Sequence, residues 1–368
     1  MELPEISDYT RLFLEDTPLL DVRAPVEFEA GAFPTAHNLP LLTDEERHLI
    51  GIRYKEAGQE AAVELGRELV DGLPRKERTE RWAQFVEKHP QGVLYCFRGG
   101  MRSRITQEWI YAATGIAYPR IKGGYKALRN FLLEQIELSV SQLQLLVIGG
   151  RTGAGKTILI KKVKSSIDLE GLAWHRGSAF GRHVTPQPTQ IDFENRLSIA
   201  MLKHRVMKSS TVVLEDESKA IGSRHLPPAL YERMSESPLA ILEVSLEERI
   251  KNSIDEYVTA ALEEYQAHYG EEQGMEEWES YARESLKRIA RRLGGERYQR
   301  MEKSLDSAMR EMHGSSGHQA HADWIAQLLV DYYDPMYDYQ LKKKEERIVF
   351  SGDMNAVIQY IEEITGHE

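Results

Sequence analysis

Short apolar runs alternate along the first two thirds of the chain with stretches whose apolar residues recur at every third or fourth position. Such runs predict buried strands, and the wider spacing predicts amphipathic helices. The predicted strands cover residues 18–22, 92–97, 144–150, 211–216 and 240–245. The predicted helices cover residues 79–89, 102–114 and 155–166. Strands that alternate with helices are typical of βαβ units, so we expect an α/β fold with parallel sheets.

The pattern changes after residue 246, where strand signals nearly stop and charged helical stretches follow. Breaks near 269–274, 293–296 and 313–318 divide these helices, and residues 347–364 predict one more strand and helix. Residues 132–144 are interpreted as the join between the first two sheets. We therefore predict a parallel-sheet domain at 1–138, a second α/β domain at 139–246, and a mainly helical region at 247–368 whose last strand and helix return to the second domain.

The composition is that of an ordinary globular protein. Of the 368 residues 41% are hydrophobic, and this length suggests two or three domains. One cysteine cannot form an internal disulfide, which fits a reducing compartment. The acidic N-terminal stretch is unlike a secretory signal, and no apolar run approaches a membrane span. We expect a cytoplasmic protein with no membrane partner. The net charge of −11 argues only weakly against nucleic acid, because salt screens charges over roughly 8 Å.

The single cysteine, Cys96, lies in the stretch YCFRGGMRS. It ends a predicted strand, and Gly99 and Gly100 let the backbone N–H groups curl into an anion cradle. Arg98, Arg102 and the start of a helix add positive potential, which favours a thiolate. The pattern predicts a nucleophilic sulfur beside a bound anion. The alternative is a buried cysteine that packs as a small apolar side chain, for which two arginines and a Gly-Gly pair have no use.

The spacing C-x5-R also fits a phosphatase loop, but the surrounding sequence favours another family. The stretch LLDVRAPVEFEAGAFPTAHNLPL, which contains Asp21 and Arg23, resembles the rhodanese signature. The stretch IKGGYKALR resembles the segment that follows a rhodanese active loop. This resemblance implies a cysteine that carries sulfur or selenium. The loop is one residue longer than the common C-x4-R form, which leaves room for a larger anion and counts against simple thiosulfate chemistry.

A second anion site is predicted by the stretch LLVIGGRTGAGKTILIKK, which matches G-x-x-x-x-G-K-[ST] between a strand and a helix. Backbone N–H groups of such a loop wrap a phosphate, the lysine neutralises it, and the hydroxyl holds Mg²⁺. The predicted diphosphate-binding residues are Gly150, Gly153, Gly155, Lys156 and Thr157. The strand at 211–216 is the natural partner, and Asp216 or Glu215 at its end is placed to reach a metal. The alternative is an acidic strand end in solvent.

The stretch EGLAWHRGSAFGRH predicts an irregular loop rather than a regular element. We interpret it as a substrate loop, with a purely structural loop as the alternative. Its candidate substrate residues are His175, Arg176, Ser178 and Arg182. The aromatic residues Trp174, Phe180 and Phe193 are more readily explained as core.

Charge is segregated within the helical region. Residues 255–279 hold nine acidic and no basic side chains, whereas residues 283–300 hold seven basic and two acidic ones. Arg288, Arg291 and Arg292 are the candidate contacts to an RNA backbone. A second basic run, KHRVMK, covers residues 203–208. The alternative is a solvated helix face that pairs with the acidic run.

A rhodanese module joined to a phosphate loop is an uncommon pairing. From about residue 20 to 341 the chain resembles the bacterial tRNA 2-selenouridine synthases. Besides the two rhodanese-like stretches, the resemblance rests on YCFRGGMRS, GGRTGAGKT, HRGSAFG, VVLEDESKAIG and DYYDPMYDYQL. It implies a rhodanese-like N-terminal domain followed by a P-loop domain.

The resemblance implies that selenium replaces sulfur at the wobble 2-thiouridine of certain tRNAs. Selenophosphate is the implied selenium donor, and geranyl diphosphate the implied donor for an S-geranyl intermediate. Cys96 takes the family's role as the selenium carrier, an S-selanylcysteine. Asp21, Arg98 and Arg102 are candidate catalytic residues beside it, and Gly99, Gly100 and Ser103 form the candidate selenophosphate loop.

We assign geranyl diphosphate to the phosphate loop, with ATP as the alternative ligand and Thr157 and Asp216 as candidate Mg²⁺ ligands. We expect no tightly bound cofactor and a monomer. Two other classes of function stay open. One is a sulfurtransferase or C-x5-R phosphatase fused to an ATPase, and the other is a non-catalytic RNA-binding adaptor.

Overall fold

The structure is a computed structural model that describes residues 3–207, 211–312 and 317–366. It divides into two compact units. The first comprises the described residues up to Leu138 together with Thr189–Lys203, and the second comprises Ser139–Pro188 and the described residues from His204 onward. The predicted domain limits did not anticipate that residues 189–203 pack with the first unit, or that residues on both sides of 246 share one unit.

The first unit is built on a five-stranded sheet in the order β1-β5-β4-β2-β3, with every neighbouring pair parallel. Its strands are β1 (Glu5–Ile6), β2 (Leu19–Asp21), β3 (Ala36–Asn38), β4 (Val93–Tyr95) and β5 (Arg120–Ile121). Its helices are α1 (Tyr9–Leu14), α2 (Pro25–Glu29), α3 (Asp44–Val70), α4 (Leu73–Lys88), α5 (Met101–Thr114) and α6 (Gly124–Gln142), the last of which runs into the second unit. Every residue of β2 and β4 is buried, as expected for parallel strands covered on both faces.

The second unit contains a parallel sheet in the order β12-β11-β6-β8-β7 and a separate antiparallel pair, β9 with β10. The strands are β6 (Gln144–Gly149), β7 (Ser166–Ile167), β8 (Thr211–Glu215), β9 (Ala220–Ile221), β10 (Arg224–His225), β11 (Leu239–Leu242) and β12 (Ile348–Gly352). The helices up to the last sheet strands are α7 (Lys156–Lys162), α8 (Leu169–Ala173), α9 (Gln190–Val206, largely in the first unit), α10 (Pro228–Glu236) and α11 (Leu246–Ile254).

The remaining helices are α12 (Ala260–Tyr269), α13 (Glu271–Leu293), α14 (Gly295–Met312), α15 (Ala322–Gln327), α16 (Asp334–Lys342) and α17 (Met354–Thr365). Two π-helical turns cover Asp255–Thr259 and Leu328–Tyr333, and two 3-10 turns cover Gly317–His321 and Glu345–Arg347. Helices α12 to α15 and the two π-helical turns share one core around Trp278 and Trp324, each 1% exposed, whereas α17 packs in the core of the second unit's sheet. Burial of such side chains is worth roughly 1.5–3 kcal/mol each, so the helical region has a substantial core of its own.

The structure confirms the predicted α/β fold with parallel sheets and a mainly helical C-terminal region. The helix predicted over 155–166 was too long, because it ends at Lys162 and β7 follows at Ser166–Ile167. The predicted helix breaks at 269–274 and 293–296 are occupied by Gly270 and Gly294, whereas 313–316 of the third break lie outside the described residues. No helix in the described part of the chain is long and apolar enough to cross a membrane.

Candidate active sites

The thiol of Cys96 lies at the carboxyl end of β4, near the N-terminal end of α5. Cys96 is 3% exposed. Its Sγ donates a hydrogen bond to the hydroxyl of Ser103 at 3.2 Å, and that hydroxyl donates to the carbonyl of Gly100 at 3.0 Å. Ser103 therefore fixes the direction of the thiol. The N-terminal end of a helix of 14 residues carries partial positive charge, which favours an anion beside the sulfur.

Close backbone contact with the first turn of α6 fixes the loop that carries Cys96. The amide of Tyr125 donates to the carbonyl of Cys96 at 2.9 Å, and the amide of Lys126 to that of Phe97 at 3.0 Å. Gly124 has a φ of +61°, and a Cβ there would lie 2.2 Å from the carbonyl oxygen of Cys96. Only glycine tolerates both the conformation and the approach, which explains the Gly-Gly pair in IKGGYKALR.

The two arginines of the loop have different surroundings. Arg98 is exposed. Arg102 forms two hydrogen bonds to Glu27, at 2.5 and 3.0 Å, and Arg47 lies 3.3 Å from the same carboxylate. Burial opposes ionisation of Glu27, but the hydrogen bond and charge of Arg102 outweigh it and lower the pKa of Glu27. Arg102 is thus held beside the loop by an ion pair.

Asp21 has a structural position rather than a catalytic one. It is fully buried, accepts hydrogen bonds from the guanidinium of Arg23, the shortest at 2.6 Å, and accepts the hydroxyl of Tyr95 at 2.6 Å. These contacts occupy both carboxylate oxygens. The predicted catalytic role of Asp21 is therefore corrected to support for the end of β2 next to β4.

The phosphate loop has the predicted strand–turn–helix form between β6 and α7, and it opens into a cavity of about 520 Å³. The ammonium of Lys156 donates to the carbonyl of Gly150 at 3.1 Å. Gly153 and Gly155 have φ values of +79° and +83°. The cavity volume falls within the range of roughly 300–1,000 Å³ that is usual for small-molecule sites.

Hydrogen bonds from side chains that were not identified from the sequence stabilise the phosphate loop. Arg249 of α11 is 3% exposed, donates to the carbonyl of Thr152 at 2.9 Å and pairs with Asp334 of α16 at 2.6 Å. Asn252 donates to the carbonyl of Gly153 at 2.9 Å. The stretch DYYDPMYDYQL, which carries Asp334, was a signal for this contact, whereas nothing in the sequence around Arg249 distinguished it.

The candidate Mg²⁺ ligands lie in different surroundings. The hydroxyl of Thr157 donates to the carboxylate of Glu170 at 3.0 Å, so two oxygen donors meet beside Lys156. Asp216 instead accepts two hydrogen bonds from Lys344, at 2.6 and 2.7 Å, and Glu215 accepts the amide of Leu169 at 2.9 Å at the start of α8. Among the described residues, no three His, Cys, Asp or Glu side chains form a ready metal site. Asp216 lines the same cavity as Thr157, and its role as a metal ligand stays a prediction.

Several carboxyl groups lie in the wall of the cavity or next to it. Burial, then the charges of Glu170 and Asp168, raise the pKa of Glu215 to about 8. Burial and the charge of Glu170 raise the pKa of Glu256 to about 7. Glu170 and Glu217 are hydrogen-bonded to each other, and burial is the main reason that the pKa of each is raised. The sequence reasoning missed Glu170, Glu217 and Glu256.

The predicted substrate loop lies against this cavity. Arg176 and Ser178 line it, whereas His175 and Arg182 are joined by an isolated β-bridge. Arg176 pairs with Glu264 at 2.8 Å. Phe180 and Phe193 are buried as predicted, at 3% and 0% exposure. Trp174 is 40% exposed, so its interpretation as a core residue was wrong.

The basic stretch 283–300, in α13 and α14, forms ion pairs with acidic side chains outside the run at 255–279. Arg283 pairs with Asp306, and Arg300 of α14 with Asp331. Arg288 donates to the carbonyl of Ala179, in the substrate loop, at 3.2 Å. Arg291 and Arg292 are exposed at the end of α13. Of the second basic run, residue 208 lies outside the described residues.

A cysteine loop at the end of one parallel sheet and a phosphate loop in another define a two-unit α/β protein of the group-transfer enzyme class. Residues 143–367 match the family described as "tRNA 2-selenouridine synthase AAA domain". The chain belongs to the tRNA 2-selenouridine synthase family.

Relatives with that name match the chain over nearly its whole length. The tRNA 2-selenouridine synthase of Marinobacter nauticus is 51% identical over 97% of this chain and 97% of its own. Those of Sulfurovum sp. and Azotobacter vinelandii are 48% and 49% identical, each over 98% of this chain and over 99% and 97% of their own. The family prediction is thereby confirmed.

Proposed function

We propose that the protein converts the wobble 2-thiouridine of tRNA to 2-selenouridine in two steps, S-geranylation followed by delivery of selenium. The observation that carries the proposal is the pairing, in one chain of this family, of an oriented thiol at Cys96 with a phosphate-loop cavity. A sulfur atom is a poor leaving group from a pyrimidine ring, and alkylation turns it into a departing thiol. A two-step reaction fits a protein with two anion sites of which one carries a thiol nucleophile.

The selenium step belongs to the Cys96 loop. Ser103 orients the thiol, and the start of α5 with Arg102 supplies positive potential for the phosphate of selenophosphate. Arg98 is exposed and is free to follow an anion that enters the loop. The resemblance of both flanking stretches to rhodaneses supports Cys96 as the nucleophile of this step. In the net reaction the selenium of selenophosphate replaces the departing geranyl thiol at C2 of the base, and water takes up the phosphoryl group as phosphate.

The geranyl step belongs to the phosphate-loop cavity. Lys156 and the backbone of the loop bind the diphosphate and stabilise it as it departs from C1 of the geranyl chain, while the sulfur of the base attacks that carbon. Tyr257, Tyr333, Met336 and Tyr337 line the same cavity and give the chain an apolar and aromatic wall. Burial of ten prenyl carbons contributes up to roughly 8 kcal/mol before the cost of ordering.

Two oxygen donors of the cavity fit a magnesium ion. Thr157 and Glu170 would hold it, with the remaining positions supplied by diphosphate oxygens and water, which Mg²⁺ prefers to an all-protein cage. Such an ion would neutralise the diphosphate. It would also offset the negative charge of Glu170, whose carboxylate otherwise faces the same part of the cavity as the diphosphate.

The test is mass spectrometry of nucleosides from tRNA that carries 2-thiouridine. With geranyl diphosphate alone the protein should make S-geranyl-2-thiouridine, and addition of selenophosphate should convert it to 2-selenouridine. ATP should neither be hydrolysed in step with turnover nor replace geranyl diphosphate. Turnover that needs ATP and forms no S-geranyl nucleoside would contradict the assignment and favour a sulfurtransferase fused to an ATPase.

A further inference from the structure

Trp174 is an aromatic residue that the fold presents to solvent in an unfavourable backbone conformation. It follows α8 with φ +53° and ψ +54°, a left-handed conformation that bulky residues rarely adopt. Its exposure is 40%. Residues held in such conformations cluster at functional sites, because the surrounding structure has to enforce them.

Contacts on one side of the indole fix its position and leave the other side open. The ring of His183 stacks on that of Trp174 with centroids 4.0 Å apart and planes 17° apart. The indole Nε1 donates to the hydroxyl of Thr185 at 2.8 Å. Since one ring face is covered by the imidazole, an exposure of 40% places most of the open area on the opposite face.

Several basic side chains lie near the indole. His175 follows Trp174 in the chain, and burial together with the charges of His183 and three arginines lowers its pKa to about 4. These arginines are Arg176, Arg182 and Arg288. Arg182 lies 5.1 Å from the ring centre of Tyr281 and is exposed. Glu264 pairs with Arg176 and His183. Arg182 and Arg288 are exposed to an external anion, and bonds to Ala179 and Ser285 hold Arg288 in place.

Trp174 is also placed next to the phosphate-loop cavity. Glu170 and Arg176 both line that cavity, and they flank Trp174 in the chain. The amide of His175 donates to the carbonyl of Glu170 at 3.0 Å. Trp174 thus lies in the chain between two residues of the cavity that a base of a polymeric substrate must enter.

We propose that Trp174 is a base-binding residue on which a pyrimidine of single-stranded anticodon RNA stacks, with Arg182 and Arg288 on the neighbouring phosphates. This inference rests on the proposed function, which requires one base of a folded RNA to reach the cavity. Bases of single-stranded RNA loops are recognised by aromatic stacking combined with arginine contacts to the backbone. The positive surroundings favour RNA over the apolar geranyl chain as the occupant of the open ring face.

The probe is an anticodon stem-loop RNA that contains 2-thiouridine, titrated against the full chain. Of the five tryptophans, Trp82, Trp278 and Trp324 are at most 1% exposed, so Trp174 is the one that a stacked base should quench. We expect RNA to quench the fluorescence of the wild type and of Trp109→Phe, a matched control in the first unit. The quenching should be largely lost in Trp174→Phe.

Affinity gives the second readout. Trp174→Ala should weaken RNA binding by roughly 5- to 150-fold, the scale of one lost base–aromatic stack. Trp174→Phe should stay near the wild type because it keeps a ring, and the KM for geranyl diphosphate should not change in either variant. RNA quenching that persists in Trp174→Phe, or RNA affinity of Trp174→Ala within twofold of the wild type, would overturn the inference. So would quenching of Trp174 by geranyl diphosphate alone.

These outcomes separate the inference from the function on which it rests. If the wild-type protein modifies the RNA and the Trp174 variants behave like it, only the stacking site is wrong. If the wild-type protein neither binds nor modifies RNA that carries 2-thiouridine, the proposed function is wrong as well, and the inference fails with it.

Discussion

Replacement of Gly124 by alanine should damage the selenium step selectively. A Cβ at this position would lie 2.2 Å from the carbonyl oxygen of Cys96 and 2.4 Å from the amide nitrogen of Gly99, with φ at +61°. The left-handed conformation costs about 1–2 kcal/mol, and overpacking against backbone adds about 1–3 kcal/mol. We expect Gly124→Ala to lower the free energy of unfolding by about 2–5 kcal/mol and to displace the Cys96 loop.

Gly115→Ala is the matched control for backbone strain alone. Gly115 has a φ of +72°, and a Cβ there would meet no atom within 4 Å. Gly115→Ala should therefore lower the free energy of unfolding only by the cost of the left-handed conformation, about 1–2 kcal/mol. Urea denaturation measures both variants, and the difference between them reports the clash with the Cys96 loop.

The functional assay supplies tRNA that is already geranylated and measures 2-selenouridine by mass spectrometry. A displacement on the scale of 1 Å costs about 100-fold in a step that depends on alignment, so Gly124→Ala should lose roughly that much selenation. Its geranylation of 2-thiouridine should stay near that of Gly115→Ala. A Gly124→Ala protein with full selenation would refute the argument that this contact fixes the position of the thiol.

Three further predictions concern the second unit. Lys156→Ala should reduce geranylation by roughly 10²–10³-fold and spare selenation of geranylated tRNA, and an equal loss in both steps would contradict the assignment of the diphosphate. Replacement of Arg288, Arg291 and Arg292 together by alanine should flatten the slope of log K against log salt by about 2–3 units; an unchanged slope would place the RNA backbone elsewhere. Burial lowers the pKa of His321 to about 4, below its unfolded value, so the stability that it contributes is present above pH 6.5 and lost as the pH falls towards 4. Denaturation at several pH values should show a loss of up to about 3 kcal/mol that His321→Gln abolishes.

The sequence predicted those parts of the protein whose signals are local. The phosphate loop and the cysteine loop follow from glycines, a lysine and a thiol at fixed spacing beside a strand and a helix, and both lie where the pattern placed them. The alternation of apolar runs likewise predicted the main sheet strands. These features are encoded within ten or twenty residues, so no tertiary contact was needed to infer them.

The features that were missed depend on contacts between distant parts of the chain. Arg249 meets Asp334 across 85 positions, and Lys344 meets Asp216 across 128. Trp174 was interpreted as core because large aromatic residues usually are buried, and only the fold shows that a neighbouring imidazole holds it at the surface. Asp21 was assigned to catalysis from its motif, whereas its bond to Tyr95 of the adjacent strand β4 joins residues 74 positions apart.

The central claim is that Cys96 serves the selenium step while the phosphate loop serves a separate geranylation. The most direct test is Cys96→Ser, assayed with 2-thiouridine tRNA, geranyl diphosphate and selenophosphate together, with the tRNA nucleosides identified by mass spectrometry. A serine hydroxyl is far less acidic than a thiol and cannot replace it as the nucleophile. The account predicts accumulation of S-geranyl-2-thiouridine and no 2-selenouridine. Formation of 2-selenouridine at the wild-type rate by Cys96→Ser would contradict it.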